Sequence, residues 1–399
     1  MSREACRSAD ARRILSIQRG LGLIAGGRFM GAQSAFLRNA WYVAAWSHEI
    51  GPREMLARTI TRVPLVFWRD AKGRVVALED RCCHRAAPLS KGRREGDRIR
   101  CMYHGLLFEA DGRCVEIPSQ DFIPPAARVR AFPVVERFKW IWVWMGDPER
   151  ADESSIPDTH TLDDPAWRGE PGYLHFDANY LLITDNLLDF SHLSYVHEKT
   201  LGGSAKYAGI RPKVTRAERS VRVERWLIDD EPAPFLRKLK TWPGNVDRWN
   251  IYDVVLPGVL LMDSGSAPTG TGASEGRRVD AAQFFGCQAV TPETETTSHY
   301  FFQQSHGFAL DDPSITASLT RSVREGFLED QDMILAQQRI LDLDPDVPML
   351  AMRMDTALAS FRALLAKAIA DERATAASER AAPAPEHGSA VPEHVAPAH

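Results

Sequence analysis

Two short segments each carry a thiol and an imidazole. Cys82-Cys83-His84 and Cys101-Met102-Tyr103-His104 make a C-x-H and C-x-x-H pair, with residues 85 to 100 between them. This composition suits a [2Fe–2S] cluster of the Rieske type, with two thiolates on one iron and two imidazoles on the other. Such ligation raises the reduction potential above that of an all-cysteine cluster. The competing use of two Cys and two His is zinc. A Cys2His2 zinc site draws both cysteines from one arm and both histidines from the other, whereas each arm here is mixed. Pro88, Gly92 and Gly105 flank the motifs and suit two loops folding over a cluster. The sequence thus assigns Cys82, His84, Cys101 and His104 as cluster ligands, with Cys83 and Cys114 as buried spectator thiols.

A second constellation runs from Asp185-Asn186-Leu187-Leu188-Asp189-Phe190-Ser191-His192 to His197. Asp189 and His192 are three apart and share one face of a helix. His192 and His197 are five apart, about 140° around a regular helix. Both can reach one ion only if the helix ends or distorts near Ser194-Tyr195. Two His and one carboxylate on iron(II) leave coordination positions open, the facial-triad arrangement. Taken alone, the spacing also fits core or capping histidines. Beside the first motif it gains weight, because a cluster that shuttles single electrons needs a redox partner. The carboxylate must come from elsewhere in the chain.

The elements that hold these residues differ between the two halves. From Trp41 to Trp144 short strands alternate with turns: Pro64–Trp68 and Arg74–Leu78 flank one hairpin, and Leu106–Phe108 and Arg113–Ile117 flank another at Asp111-Gly112. Val134 to Trp144 continues the strand pattern, with a break at Arg137-Phe138-Lys139. Beyond the polar stretch 146–164 the sequence predicts a helix over Leu181–His197. Strands follow at Val221–Ile228, Trp249–Val255, Val259–Met262, Ala282–Val290 and His299–Gln304, and then helices at Ser314–Leu341 and Thr356–Ile369. The division is 36–148 and 149–372. Residues 1–35, rich in Arg, read as a disordered extension or an over-long start, and 373–399, rich in Ala and Pro, as a disordered tail. A net charge of −4 leaves no basic footprint for nucleic acid. The longest apolar run, Val254 to Met262, is too short to span a bilayer and contains Pro257 and Gly258.

Cys82-x-His84-Arg85 and Cys101-x-Tyr103-His104-Gly105 resemble the Rieske domain of aromatic-ring-hydroxylating oxygenases. The stretch from Phe36-Leu37-Arg38-Asn39-Ala40-Trp41-Tyr42 to Trp142-Val143-Trp144-Met145-Gly146-Asp147-Pro148 is similar to the subgroup containing vanillate O-demethylase and toluenesulfonate methyl-monooxygenase. Residues 263–270 and 292–299 resemble the methyl-hydroxylating members. The resemblance covers roughly residues 36 to 370 and implies an α+β chain: an N-terminal antiparallel-β Rieske domain, then a helix-grip (START-like) catalytic domain. It also implies His192 and His197 as iron ligands, with a carboxylate from a late helix at Phe327–Ile334. Alignment falls on Asp330, with Glu329 and Asp332 as rivals. His299 and His306 lie outside that motif and default to core or pocket wall.

The implied activity is that of a terminal oxygenase, hydroxylating a methyl or O-methyl group of an aromatic acid. O2 is the oxidant, and electrons come from NAD(P)H through a separate flavin- and iron–sulfur-containing reductase. The resemblance further implies a cytoplasmic homotrimer in which His104 of one subunit approaches His192 of its neighbour, with the Asp189 carboxylate bonded to both rings. A ring-dihydroxylating or angular dioxygenase would use the same ligands. Outside enzymes, a Rieske electron carrier and a zinc-stabilised small-molecule carrier compete. Pocket walls are expected in Trp249–Met262 and Phe284–His306. Arg248 either faces an anionic group or, more in keeping with its type, forms an exposed salt bridge.

Overall fold

The computed structural model describes residues 36–202 and 205–381, so the expectations for 1–35 and 382–399 lie outside the described residues. The first half folds into three small antiparallel sheets. β1 (Trp41–Trp46), β11 (Trp140–Trp144) and β10 (Val134–Arg137) form one, in the order β1-β11-β10. β2 (Leu56–Ile60), β3 (Val63–Arg69), β4 (Val75–Glu79) and β9 (Ala131–Phe132) form the second. β5 (Arg93–Glu95), β6 (Arg98–Arg100), β7 (Leu107–Phe108) and β8 (Cys114–Glu116) form the third.

Local chemistry sets the turns. Asp70 Oδ1 accepts from the main-chain N–H of Lys72 and of Arg74, both at 2.9 Å, and closes the β3–β4 hairpin. At the β7–β8 turn Gly112 adopts φ +80°, and a Cβ there would stand 2.0 Å from the Val129 carbonyl oxygen, so no other residue fits.

The second half is a seven-stranded antiparallel sheet ordered β12-β18-β17-β16-β15-β14-β13. Its strands are β12 (Gly172–Phe176), β13 (Lys213–Arg216), β14 (Ser220–Asp230), β15 (Val246–Val255), β16 (Val259–Pro268), β17 (Ala282–Pro292) and β18 (Ser298–His306). Among the described residues four helices accompany it: α1 (Tyr180–Leu188), the short α2 (Lys206–Gly209), α3 (Pro313–Leu343) and α4 (Thr356–Ala381). Asp312 caps α3 by accepting from Ser314 N at 2.9 Å, and Pro313 occupies its first turn. The buried residues of α3 include Leu319, Val323, Phe327, Asp330, Ile334, Gln338 and Leu341, which recur every three or four positions, with Ser322 and Gly326 beside them. They form one stripe against the sheet, where Phe327 meets Tyr300 and Phe302 at ring-centroid distances of 5.3 and 4.8 Å. A carboxylate, Asp330, interrupts this otherwise largely apolar stripe.

The halves share a seam. Thr61 N donates to Pro292 O and Arg62 N to Glu293 O, both at 2.8 Å, and the Trp46 indole donates to Gly172 O at 3.0 Å. Two expectations change. α4 runs nine residues past the expected boundary at 372, because Asp371 to Ala381 contains only residues a helix accepts and the first proline is Pro383. Within it, Glu372 accepts from the main-chain N–H of Arg38 and Asn39 at 2.9 and 3.0 Å. The helix expected over 181–197 is also not continuous: α1 stops at Leu188, and a separate 3-10 turn spans Phe190–Ser194. Among the described residues no helix is long and apolar enough to cross a membrane.

Candidate metal centres

The two cysteine–histidine loops repeat one backbone design. Cys82 N donates to Ala87 O and Cys101 N to Leu106 O, at 2.9 and 2.8 Å. In return Ala86 N donates to Cys82 O and Gly105 N to Cys101 O, at 3.0 and 2.9 Å. Ala86 and Gly105, at the same place in each loop, both have positive φ, 55° and 81°. Asp80 braces the first loop by accepting from Ser90 N at 2.6 Å and Ser90 Oγ at 2.5 Å.

The outcome sorts donors by type. Cys82 and Cys101 are buried in an apolar cluster with Trp68, Leu78, Ile99 and Phe108. His84 and His104 are exposed at the tip and pack edge to face, with centroids 4.5 Å apart. Burial, with the neighbouring Cys101 thiol adding to it, pushes the Cys82 thiol up to about 12 against a weaker opposing hydrogen bond from the His84 main chain. Thiols in such a place become thiolates only against metal charge. Thiol beside thiol within and imidazole beside imidazole outside suits a two-iron cluster with one ligand type per iron. Cys114 is buried as expected, but Cys83, in the turn that follows Cys82, is exposed.

The second constellation depends on the break after α1. Asn179 caps the start of that helix, accepting from Leu181 N at 2.8 Å. Arg362 of α4 grips Asp185, its Nε lying 3.0 and 3.1 Å from the two carboxylate oxygens. At Asp189 the backbone turns extended (φ −130°, ψ 96°), and the Asp189 carboxylate caps the next turn by accepting from Ser191 N at 2.9 Å and Ser191 Oγ at 2.6 Å. The 3-10 turn ends at Ser194 with Tyr195 as its C-cap, as the spacing requires, and this end between the two histidines lets His192 and His197 face each other with ring centroids 5.2 Å apart.

Among the described residues, His192, His197 and Asp330 form the group whose donor atoms all lie within 4.8 Å of one another. Asp330 Oδ1 lies 3.1 Å from His197 Nε2, 3.4 Å from His192 Nε2 and 2.9 Å from Asn186 Nδ2, which donates to it. The far nitrogens are engaged as well. His192 Nδ1 donates to the Asp189 main-chain oxygen at 2.6 Å, and His197 Nδ1 donates to Glu329 Oε2 at 2.7 Å. Thr200 Oγ1 holds Glu329 from the other side at 2.6 Å. Both rings therefore turn an unprotonated Nε2 toward the cluster, the tautomer a metal needs.

Electrostatics agree. Burial lowers the pKa of His192 despite the opposing Asp330. Burial also works against charge on His197, yet Asp330 and Glu329 together outweigh it and raise its pKa. Two carboxylates around one buried imidazole favour a cation at this point. The donor set fits iron(II) with open positions.

Asp332 is not in the cluster, and Glu329 is a partner of His197. The Asp189 carboxylate does not reach His192. It is engaged by the turn it caps and by Arg225 at 3.6 Å, and His192 donates instead to the Asp189 carbonyl oxygen. His299 and His306 are core residues: His299 Nε2 donates to Thr59 O at 3.0 Å, and His306 lies 2.8 Å from Thr316 Oγ1. The cluster opens onto a pocket whose apolar wall includes Phe190, Leu193, Leu201, Phe284, Val323 and Phe327. Arg248 lines it too. It is buried and forms no salt bridge among the described residues, against the expectation of an exposed one. Asn186, Glu329 and Arg248 gain their places only through the fold.

Residues 40–133 match the Rieske [2Fe-2S] domain, and residues 176–371 match the vanillate O-demethylase oxygenase C-terminal domain. The chain is 48% identical over 334 residues to the iron–sulfur subunit of the toluene-4-sulfonate monooxygenase system of Comamonas testosteroni, covering 83% of this chain and 96% of the relative. It is 38% identical over 307 residues to the oxygenase component of dicamba O-demethylase of Stenotrophomonas maltophilia, 76% of this chain and 87% of that one. The crystal structure of dicamba monooxygenase bound to dicamba superposes with a TM-score of 0.77 at 34% identity, covering 85% of this chain and 99% of that chain.

Proposed function

The chain belongs to the Rieske non-haem iron oxygenases, and we propose that it hydroxylates a methyl or O-methyl group of a small aromatic acid, as the terminal oxygenase component of a multicomponent monooxygenase. In this reading Cys82, His84, Cys101 and His104 hold the [2Fe–2S] cluster, and His192, His197 and Asp330 hold a mononuclear iron(II). Bound, the two groups supply single electrons and the activation of O2. The reaction consumes O2, two electrons and two protons; one oxygen atom enters a methyl C–H bond and the other leaves as water. From an O-methyl group the product is a hemiacetal that collapses to formaldehyde and a phenol; from an aryl methyl group it is a benzyl alcohol.

The chain's own residues do the positioning. Glu329 and the Asp189 carbonyl fix the two rings, the Asn186 amide steadies Asp330, and Phe190, Phe284 and Phe327 exclude water around the substrate ring. One observation carries the reading: the donor triad stands in the wall of an apolar pocket. A structural metal would be enclosed by protein donors, whereas a catalytic one keeps a side free.

The remaining parts of the proposal are a cytoplasmic homotrimer and electrons from NAD(P)H through a flavin- and iron–sulfur-containing reductase. Exposed Met102 (55%) and Tyr103 (60%) beside His104 support a surface that another subunit covers. A head-to-tail ring would bring that tip to the neighbour's Asp189–His192 turn. Turnover with a surrogate reductase and 18O2 on methyl- and methoxy-substituted aromatic acids tests the function. A benzyl alcohol carrying one labelled oxygen atom, or an unlabelled phenol plus formaldehyde, is expected; a cis-dihydrodiol would overturn it.

A further inference from the structure

Strands β15 and β16 pair so that Arg248 faces Ser266 and Asn250 faces Ser264. Alternate residues of a strand share a face, and all four line the pocket. All are buried, with 8%, 0%, 5% and 8% exposure for Arg248, Ser266, Asn250 and Ser264. A sheet face otherwise dominated by apolar side chains thus carries a square of hydrogen-bond donors.

Their existing partners leave donors over. Arg248 Nη1 donates to Gly202 O at 2.6 Å and Nη2 to Leu201 O at 3.2 Å, out of five N–H groups on a guanidinium. No carboxylate among the described residues stands within ion-pair distance of it. Asp230, whose field it feels, is paired with Lys206 at 3.1 Å. Tyr207 lies against the guanidinium, 5.3 Å from ring centroid to Cζ, and donates its hydroxyl to Asn250 Oδ1 at 2.8 Å. With the oxygen so engaged, the Asn250 amide presents its N–H2, whose contact is the weak acceptor Met262 Sδ at 3.8 Å. Ser266 Oγ is buried with no hydrogen-bond partner. A buried cation without a counter-charge and a buried hydroxyl without a partner are both costly, and one ligand would relieve both.

We propose that Arg248, Asn250, Ser264 and Ser266 form an oxyanion subsite that holds the carboxylate or sulfonate of the aromatic substrate. One cation with three neutral donors suits a monoanion with several acceptor oxygens. Among the described residues the only carboxylate in the pocket wall is Asp330, already within the triad. The inference rests on the proposed function, in that it names what reads the acid group of the substrate. Its rival is that Arg248 merely clamps the carbonyls of residues 201–202 behind His197.

Calorimetric titration of the iron-loaded protein with toluene-4-sulfonate, 4-methylbenzoate and the neutral toluene-4-sulfonamide separates the two. The wild type should prefer one or both anions over the sulfonamide by roughly 10-fold to 100-fold, as for a charge-assisted hydrogen-bonded pair. In Arg248→Gln that ratio should fall to near unity. Ser266→Ala, which leaves the 201–202 clamp intact, should weaken anion binding about 5-fold and leave the sulfonamide unchanged. An equal loss for charged and neutral probes in R248Q together with no effect of S266A overturns the subsite, as does a wild type without anion preference. Product analysis on the same samples keeps the two readings apart. Oxygenation of a probe without anion preference removes the subsite alone; anion preference without oxygenation of any methyl aromatic removes the proposed function alone.

Discussion

Glu329 and Asp330 are consecutive on α3, yet they face opposite nitrogens of His197: Glu329 meets Nδ1 at 2.7 Å and Asp330 meets Nε2 at 3.1 Å. Their replacements should therefore differ in kind. Asp330→Ala removes a donor to the metal, so mononuclear iron and turnover should be lost while the visible bands of the cluster persist. Glu329→Gln keeps the donor set and weakens only the orientation of His197, so iron affinity in a chelator competition should fall roughly 10-fold to 100-fold. Cys101→Ala should abolish the cluster spectrum outright. The cysteine–histidine pairs were legible because their spacing is local, and so was the pair His192 and His197. The carboxylate was less so, because three acids lie within four residues and only a helix register separates them. That register was available in principle: Leu319, Val323, Phe327 and Ile334 are apolar at helical spacing, and Asp330 falls on their face while Glu329 and Asp332 do not. Arg248 was misjudged because a charged residue in a strand reads as surface until the partner strand and the loop at 201–202 cover it.

At the level of elements, the site depends on α1 ending one residue before Asp189. The five long strands from Val221 to Gln304 were recovered from β-branched and aromatic runs, but β12, β13 and the break at Asp189 were not; apolar residues continue through that break, and Asp189 looks like any helical acid. Its capping of Ser191 is local, but the tertiary contacts around it, the Arg362–Asp185 clamp and Arg225 at 3.6 Å from the Asp189 carboxylate, are not readable along the chain. Arg362→Ala should lower the unfolding free energy by about 3 kcal/mol, as for loss of one partner of a largely buried ion pair, and should weaken iron binding more than it disturbs the cluster. The seam between the halves makes a second, pH-dependent test. Arg58 donates to the Tyr173 hydroxyl at 3.2 Å, that hydroxyl faces His299 Nδ1 at 2.9 Å, and His299 Nε2 donates to Thr59 O. Burial first, then Arg58, pulls the His299 pKa down to about 4. The unfolded chain takes up this proton near pH 6.5 and the folded chain only near 4, so stability is complete above about 6.5 and falls as pH drops through that window, by at most about 3 kcal/mol. Urea unfolding at pH 7 and pH 4.5 should show a smaller difference in His299→Gln than in the wild type; equal differences would show that His299 does not set the acid limb.

For the whole molecule, the imidazoles His84 and His104 are exposed and the triad lies in the other half of the chain, and the proposed trimer would bring the two kinds of site together between subunits. Sedimentation should give a closed trimer. Asp189→Asn should preserve it, since Asn caps a turn about as well as Asp, and should retain both metals. Reoxidation of the pre-reduced cluster by O2 and substrate should nevertheless slow by orders of magnitude if the carboxylate charge serves the junction between subunits. Wild-type rates would assign Asp189 to the turn alone. Beneath these questions lies the claim that a single chain holds two different iron sites. Its most direct test is the count of iron and acid-labile sulfide in anaerobically purified protein, wild type beside Asp330→Ala. The wild type should carry about three irons and about two sulfides per chain, and the variant about two irons with unchanged sulfide. Zinc at the cysteines, or the same iron count in both proteins, would contradict it.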